Sequence, residues 1–247
     1  MNERCIRRFK NSIFSWEEAP FADESQVDIV VDGCRQASVM ASPFQLDSLA
    51  VGFLFGEGVI GGVNDIKSLS VNGRKISVEL WMKNIEPHPV TLENIEPASV
   101  SPLKVSYPVL DAAKILSLSE DFNSHSYLFR QTGAVHSCSL ISGSKRLHAD
   151  DVARHNALDK VIGQYLIDGP SSEPGLVLTT GRISTEILIK SAKAGIGTVI
   201  SRSAATDRAV ELARSLNMIM IGFSRQNRFN VYHGGEKITG APRHAAW

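Results

Sequence analysis

The chain has 247 residues, enough to bury about 70–75% of its unfolded surface and to build one large domain or two smaller ones without disulfide staples. Its 26 Lys and Arg balance 26 Asp and Glu, and a pI near 7.1 leaves no global positive field for a nucleic-acid backbone or an acidic membrane, so any basic site must be local. With 43% apolar and 21% charged residues, the composition excludes the disordered class.

No apolar run in the first 25 residues has the character of a signal-peptide core, and none anywhere reaches the ~18 residues of a membrane helix. A cytoplasmic protein without membrane contact is expected. The three cysteines, Cys5, Cys34 and Cys138, are too few and too irregularly spaced for a disulfide framework or a four-thiolate zinc site.

Along the chain, residues 27–32 and 35–41 read as two strands joined at Gly33. Ser42-Pro43 then reads as the N-cap and first-turn proline of a helix whose apolar positions (Leu46, Leu49, Ala50, Phe53, Leu54) recur until Gly56 and Gly58. Asn72-Gly73 between residues 66–71 and 75–81 signals a tight hairpin, completing a small α+β unit. Five of the ten prolines fall within residues 82–108, which reads as a long connector, and the first domain is expected to occupy residues 1–110.

The second domain, residues 111–247, opens with a short helical stretch at 111–118 and then alternates. Strands are expected at 132–141, 176–180, 198–201 and 218–223, and helices at 155–167, 183–194 and 206–216. This spacing argues for parallel strands covered by helices, with Asn217 as a left-handed helix cap.

In such a sheet, ligands bind beyond the carboxyl ends of the strands, where helix N-termini present free N–H groups. The basic residues fall there. Gly181 and Arg182 follow one strand, Arg202 the next, and Phe223-Ser224-Arg225-Gln226-Asn227-Arg228 the last, while Arg154-His155-Asn156 opens a helix. Arginines converging on one edge point to an anionic ligand, a phosphate or pyrophosphate, although each arginine singly also reads as a solvated surface residue. Asn156 with Asp159 also reads as a capping pair. Strand alternation puts His136 and Cys138 on one face, the arrangement of a His-assisted thiolate or of an inert core cysteine. Neither a P-loop nor a dinucleotide fingerprint is present, and the zinc-deaminase pattern H-x-E with P-C-x-x-C is missing, so no metal is expected.

Four segments, TGAVHSCSL (132–140), DDVARHNALDKVIG (150–163), TTGRISTEILIKSAKAGI (179–196) and GFSRQNRFNVY (222–232), resemble the FdhD family of formate dehydrogenase accessory proteins, with weaker support from residues 39–60. The resemblance implies an α/β architecture: a cytidine deaminase-like C-terminal domain used without zinc, plus a small α+β N-terminal domain. It also implies a homodimer that takes sulfur from a cysteine desulfurase and acts on molybdopterin guanine dinucleotide (bis-MGD), bound as cargo, on behalf of formate dehydrogenase. By resemblance the guanine nucleotide-like ligand would fall on Phe223, Ser224, Arg225, Gln226, Asn227 and Arg228, and Gly181, Arg182, Arg154, His155 and Asn156, placed by the strand-end argument above, would complete the site. One departure stands out. The family carries a C-G-x-C-G type motif between its domains, whose first cysteine holds the sulfur as a persulfide, whereas residues 82–108 contain no cysteine. No catalytic residue matches the family's motif: Cys138 with His136, or a route that the motifs do not reveal, would have to replace it, and a protein that holds or delivers the cofactor without transferring sulfur is the alternative.

Overall fold

The computed structural model describes residues 2–81 and 105–240. The chain opens with a hairpin, β1 (Asn2–Lys10) and β2 (Ile13–Phe21), which sequence periodicity does not announce because nearly every residue in it is exposed. A four-stranded sheet follows, formed by β3 (Ser25–Val31), β4 (Cys34–Ala41), β5 (Ile66–Asn72) and β6 (Lys75–Leu80) in the order β4-β3-β6-β5. Asn72 pairs with Lys75, so the tight turn is Gly73-Arg74, one residue later than the Asn-Gly signal, with Gly73 supplying the left-handed φ of 59°.

Helix α1 (Leu46–Gly56) covers this sheet. It starts after a left-handed Gln45 rather than at Ser42-Pro43. Ser42 is drawn instead into a long-range contact: its N–H donates to the Asp151 carboxylate at 3.1 Å, and its carbonyl accepts from Lys160 at 3.0 Å.

The larger, six-stranded sheet has the order β13-β12-β11-β10-β8-β9. Its strands are β8 (His136–Ser142), β9 (Lys145–Asp151), β10 (Gly175–Thr179), β11 (Thr198–Ser201), β12 (Ile219–Arg225) and β13 (Arg228–His233). Strands β10, β11 and β12 are mutually parallel, and β8 runs antiparallel to β10. Edge strands β9 and β13 are hairpin returns, too polar in their sequence to read as strands. The expected strand at 132–141 is shortened, because residues Tyr127–Thr132 form helix α3, which Gly133 ends in the left-handed conformation. Asn217 likewise adopts a left-handed φ of 53° just past a helix.

Helices α4 (Arg154–Ile167), α5 (Thr185–Lys193) and α6 (Asp207–Ser215) cover one face of this sheet, and α2 (Ala112–His125) covers the other. The central strands are buried on both faces: Val177, Val199 and Met220 face α4–α6, while Leu178, Ile200 and Ile221 face α2. Minor strands β7 (Leu110–Asp111) and β14 (Ile238–Thr239) pair at the margin.

Helices α1 and α4 pack against each other and join the two sheets through one continuous apolar core. Contact is made backbone to backbone, since a Cβ at Gly52 would lie 1.8 Å from the Asp159 carbonyl oxygen. Buried ion pairs line this junction, Lys160 with Asp151 at 2.7 Å and Lys190 with Asp159 at 2.9 Å, and the partly exposed Glu57 lies 3.7 Å from Lys190. Burial lifts the Asp159 carboxyl to about 6 although Lys190 opposes the rise, and the surrounding carboxylates hold Lys190 well above the ordinary lysine range. Asn156 and Asp159 are therefore not a capping pair. Ala153 is the N-cap of α4, Asp159 serves Lys190, and Asn156 donates to the Met40 carbonyl at 2.8 Å and to Asp151 at 3.1 Å.

Candidate functional site

A cavity of about 600 Å³ opens at the carboxyl ends of β10, β11 and β12, lined by His136, Thr180, Arg202, Ser203, Phe223 and Arg225, with Phe129 and residues 133–135 closing one side. Its rim is built by backbone bonds from loop to loop. The Thr180 N–H donates to the Ser137 carbonyl, Arg202 N–H to Thr179, and Phe223 N–H to Ser203, each at 3.0 Å. Thr180 Oγ1 also accepts from the Ser137 N–H at 3.0 Å and lies 3.4 Å from His136 Nδ1.

Phe223 sits in a β-bulge with a left-handed φ of 51°, a conformation rarely taken by an aromatic residue outside a constrained site. The next residue clamps it: the buried Ser224 hydroxyl pairs with Ser119 of α2 at 2.6 Å. The bulge thereby places alternate residues Phe223 and Arg225 in the cavity wall, with the Arg225 guanidinium over the Phe223 ring at 5.8 Å. Arg202 lies over the Phe129 ring at 5.9 Å.

The electrostatics favour an anion. Arg225 Nε is buried without a hydrogen-bond partner among the described residues, and so is Arg154 Nε. A buried guanidinium nitrogen left unpaired costs free energy until an acceptor meets it. His136 is held below the ordinary histidine range by burial and by Arg154, with Asp151 opposing, which favours its uncharged form. His155 is lowered as well, by burial first and against the pull of Glu186.

The residues expected from sequence separate into groups. Arg225, Phe223 and His136 line the cavity, and Arg154 packs its stem over Gly181, where a Cβ would lie 2.8 Å from the Arg154 Cβ. Gln226, Asn227 and Arg228 form the exposed tip of the β12–β13 hairpin, with left-handed φ values of 53° and 58° at Gln226 and Asn227. Arg182 is exposed and does not line the cavity. His155 turns to Ser184 and Glu186, at 3.4 Å each, and Asn156 is buried in the junction with α1. Cys138 is wholly buried in the core, and burial together with the nearby Asp159 charge pushes its thiol up, out of the reactive thiolate range. Phe129 and residues 133–135 were not expected. The run from Ser126, which caps α3 by accepting from the Phe129 N–H, to Gly133 was the readable signal.

These features define a mixed α/β protein with an arginine-lined cavity at the carboxyl edge of a parallel strand set. The FdhD/NarQ family model matches residues 22–239. The chain belongs to this family. It is 36% identical to the sulfur carrier protein FdhD of Listeria monocytogenes serotype 4b (strain F2365), over 97% of this chain and 99% of the relative. Against the protein of the same name from Bacillus subtilis (strain 168) the identity is 31%, over 95% and 96%. Its structure resembles the crystal structure of a formate dehydrogenase accessory protein from Desulfotalea psychrophila, with a TM-score of 0.80 and 27% identity, covering 96% of this chain and 98% of the other. Among the described residues, no helix is long and apolar enough to cross a membrane.

Proposed function

We propose that this protein is a cytoplasmic, homodimeric formate dehydrogenase accessory protein acting in molybdenum cofactor sulfuration and delivery, and that its cavity takes a guanine nucleotide moiety of bis-MGD, held as cargo. The carrying observation is the pair Arg202 and Arg225 at adjacent strand ends, with the Arg225 Nε buried and without a hydrogen-bond partner among the described residues. A volume near 600 Å³ suits a nucleotide-sized ligand, Phe223 and Phe129 offer flat apolar surfaces to a base, and two guanidinium groups match a pyrophosphate. The names of the relatives support the sulfur-carrier and formate dehydrogenase parts of this reading. A cysteine desulfurase and a formate dehydrogenase are the partners it implies. The order of β9, β8, β10, β11 and β12, with the last three parallel, supports reading the second half as cytidine deaminase-like.

A second reading rests on the cysteines. Residues 82–108 contain none, and Cys138 is sealed in the core, so this chain has no cysteine at the place where the family holds its persulfide. On that reading the protein holds and delivers the cofactor without carrying sulfur. Calorimetric titration with GDP tests the cavity: Arg202→Ala and Arg225→Ala should each weaken binding by about 1–3 kcal/mol. Unchanged affinity in both would move the site elsewhere. Mass spectrometry after incubation with a desulfurase separates the two readings, since a 32-dalton adduct reports a carrier and its absence reports a holder.

A further inference from the structure

Outside the arginine cavity, on the side of the large sheet covered by α2, the β8–β9 hairpin assembles three residues that the proposed function leaves unused. Ser139 and His148 are directly opposite each other across the two strands, and Asp150 lies two residues further on the same face of β9. Ser139 Oγ is 2.8 Å from His148 Nδ1, and His148 Nε2 is 3.2 Å from Asp150 Oδ1. The carboxylate is in turn fixed by the Ser137 hydroxyl at 2.6 Å and the Ser126 hydroxyl at 2.9 Å. Burial alone would raise the Asp150 carboxyl, but the bonds from His148, Ser137 and Ser126 outweigh it and hold the group below the ordinary aspartate range.

An ionised Asp150 at Nε2 selects the imidazole tautomer that carries its proton there, which leaves the Nδ1 lone pair facing the Ser139 hydroxyl. This is the relation of nucleophile, base and orienting carboxylate used in acyl transfer, with the two ring nitrogens in exchanged roles. The group is not sealed. Ser139 and His148 border a cavity of about 120 Å³ that is also lined by Phe122, His125, Arg146 and Leu178. Arg146 and His125 can donate hydrogen bonds to an oxygen that gains charge, and the apolar part of the wall suits a short alkyl chain.

We propose that Ser139 is a base-activated nucleophile that accepts the acyl group of short-chain carboxylic esters, forming a second reactive centre distinct from the nucleotide-sized cavity. In the first step Ser139 passes its proton to His148 Nδ1 as the Oγ–acyl bond forms. The bond from the acyl carbon to the leaving oxygen breaks, and the departing alcohol takes the proton from His148. Water then cleaves the acyl-serine in the same way, releasing the carboxylic acid and restoring the hydroxyl.

The test uses the full chain with a fluorophosphonate probe, which reacts with activated serines by forming an Oγ–P bond and releasing fluoride with the serine proton. One adduct on Ser139 is expected by peptide mass spectrometry, absent in Ser139→Ala and formed on the order of 100-fold more slowly in His148→Gln. Hydrolysis of p-nitrophenyl acetate should fall in parallel and exceed that of p-nitrophenyl octanoate, which is too long for the cavity. Far-UV circular dichroism and thermal melts confirm that both variants are folded. Because several partners converge on Asp150, His148→Gln carries the test in place of a change at that carboxylate. No adduct on Ser139, or equal labelling rates in folded His148→Gln and wild type, overturns the proposal.

Discussion

The ammonium of Lys160 lies 2.7 Å from the carboxylate of Asp151, and neither side chain has any contact with solvent. The same ammonium donates to the Ser42 carbonyl and stands 4.1 Å from the centre of the Phe44 ring, so one residue of α4 ties β9 to the segment leading into α1. Burial lowers the tendency of Lys160 to hold its proton, and Asp151 works against that loss. Removing one member of such a pair strands the other charge in the core. Lys160→Met should therefore destabilise the protein by about 3–5 kcal/mol, while Lys160→Met combined with Asp151→Leu should recover part of that loss. Urea denaturation of the three variants is the measurement.

The approach of α1 to α4 admits no side chain at two glycines. A Cβ at Gly163 would lie 1.9 Å from the Ser48 carbonyl oxygen, and a backbone atom cannot turn aside as a flexible side chain can. Gly163→Ala should force the helices apart and cost at least about 3 kcal/mol, the upper end of overpacking effects. Gly62→Ala, where no atom of the described residues would lie within 4 Å of the added Cβ, should stay within about 0.5 kcal/mol of the parent in the same assay.

Thiol reactivity should follow burial. Cys5 and Cys34 are exposed and Cys138 is buried, so Ellman's reagent should count two thiols in the native protein and three in denaturant. Fast labelling of Cys138 under native conditions would require the core beneath β8 to open.

Both histidines near the arginine cavity should titrate below the ordinary value. His136 responds to burial and to Arg154 against Asp151, and His155 to burial, Arg154, Lys190 and His136 against Glu186. A folded-state pKa depressed below the unfolded value means that the unfolded chain binds the proton first. Their contribution to stability is therefore complete above about pH 6.5 and declines as the pH falls toward the folded values. Asp159 acts in the opposite sense: its carboxyl is raised to about 6 in the fold, so acidification from pH 6 toward 4 favours the folded state at that residue. Imidazole NMR titration reads the first effect directly, and His136→Gln should flatten the stability profile below pH 6.5.

Much was legible in the sequence because it depends on local periodicity. The runs at β10, β11 and β12 are short, apolar and bounded by turn residues, and the helices between them repeat at helical spacing, so the parallel layer and its carboxyl edge followed. The chemistry of that edge was legible too, since the order of residues puts Arg202, Phe223 and Arg225 where two adjacent strands end, and sequence alone disclosed that residues 82–108 lack cysteine. Tertiary structure decided which of the candidates meet. Arg182 and Arg225 look equivalent on paper, yet one is exposed and the other lines the cavity, because a bulge held by Ser119 and Ser224 turns the end of β12 inward. Asn156 and Asp159 read as a cap, but packing against α1 assigned them to Met40 and Lys190, partners more than thirty residues away in one case and more than a hundred in the other. Pairing between distant segments is set by burial and charge in three dimensions, and no periodicity in the chain encodes it.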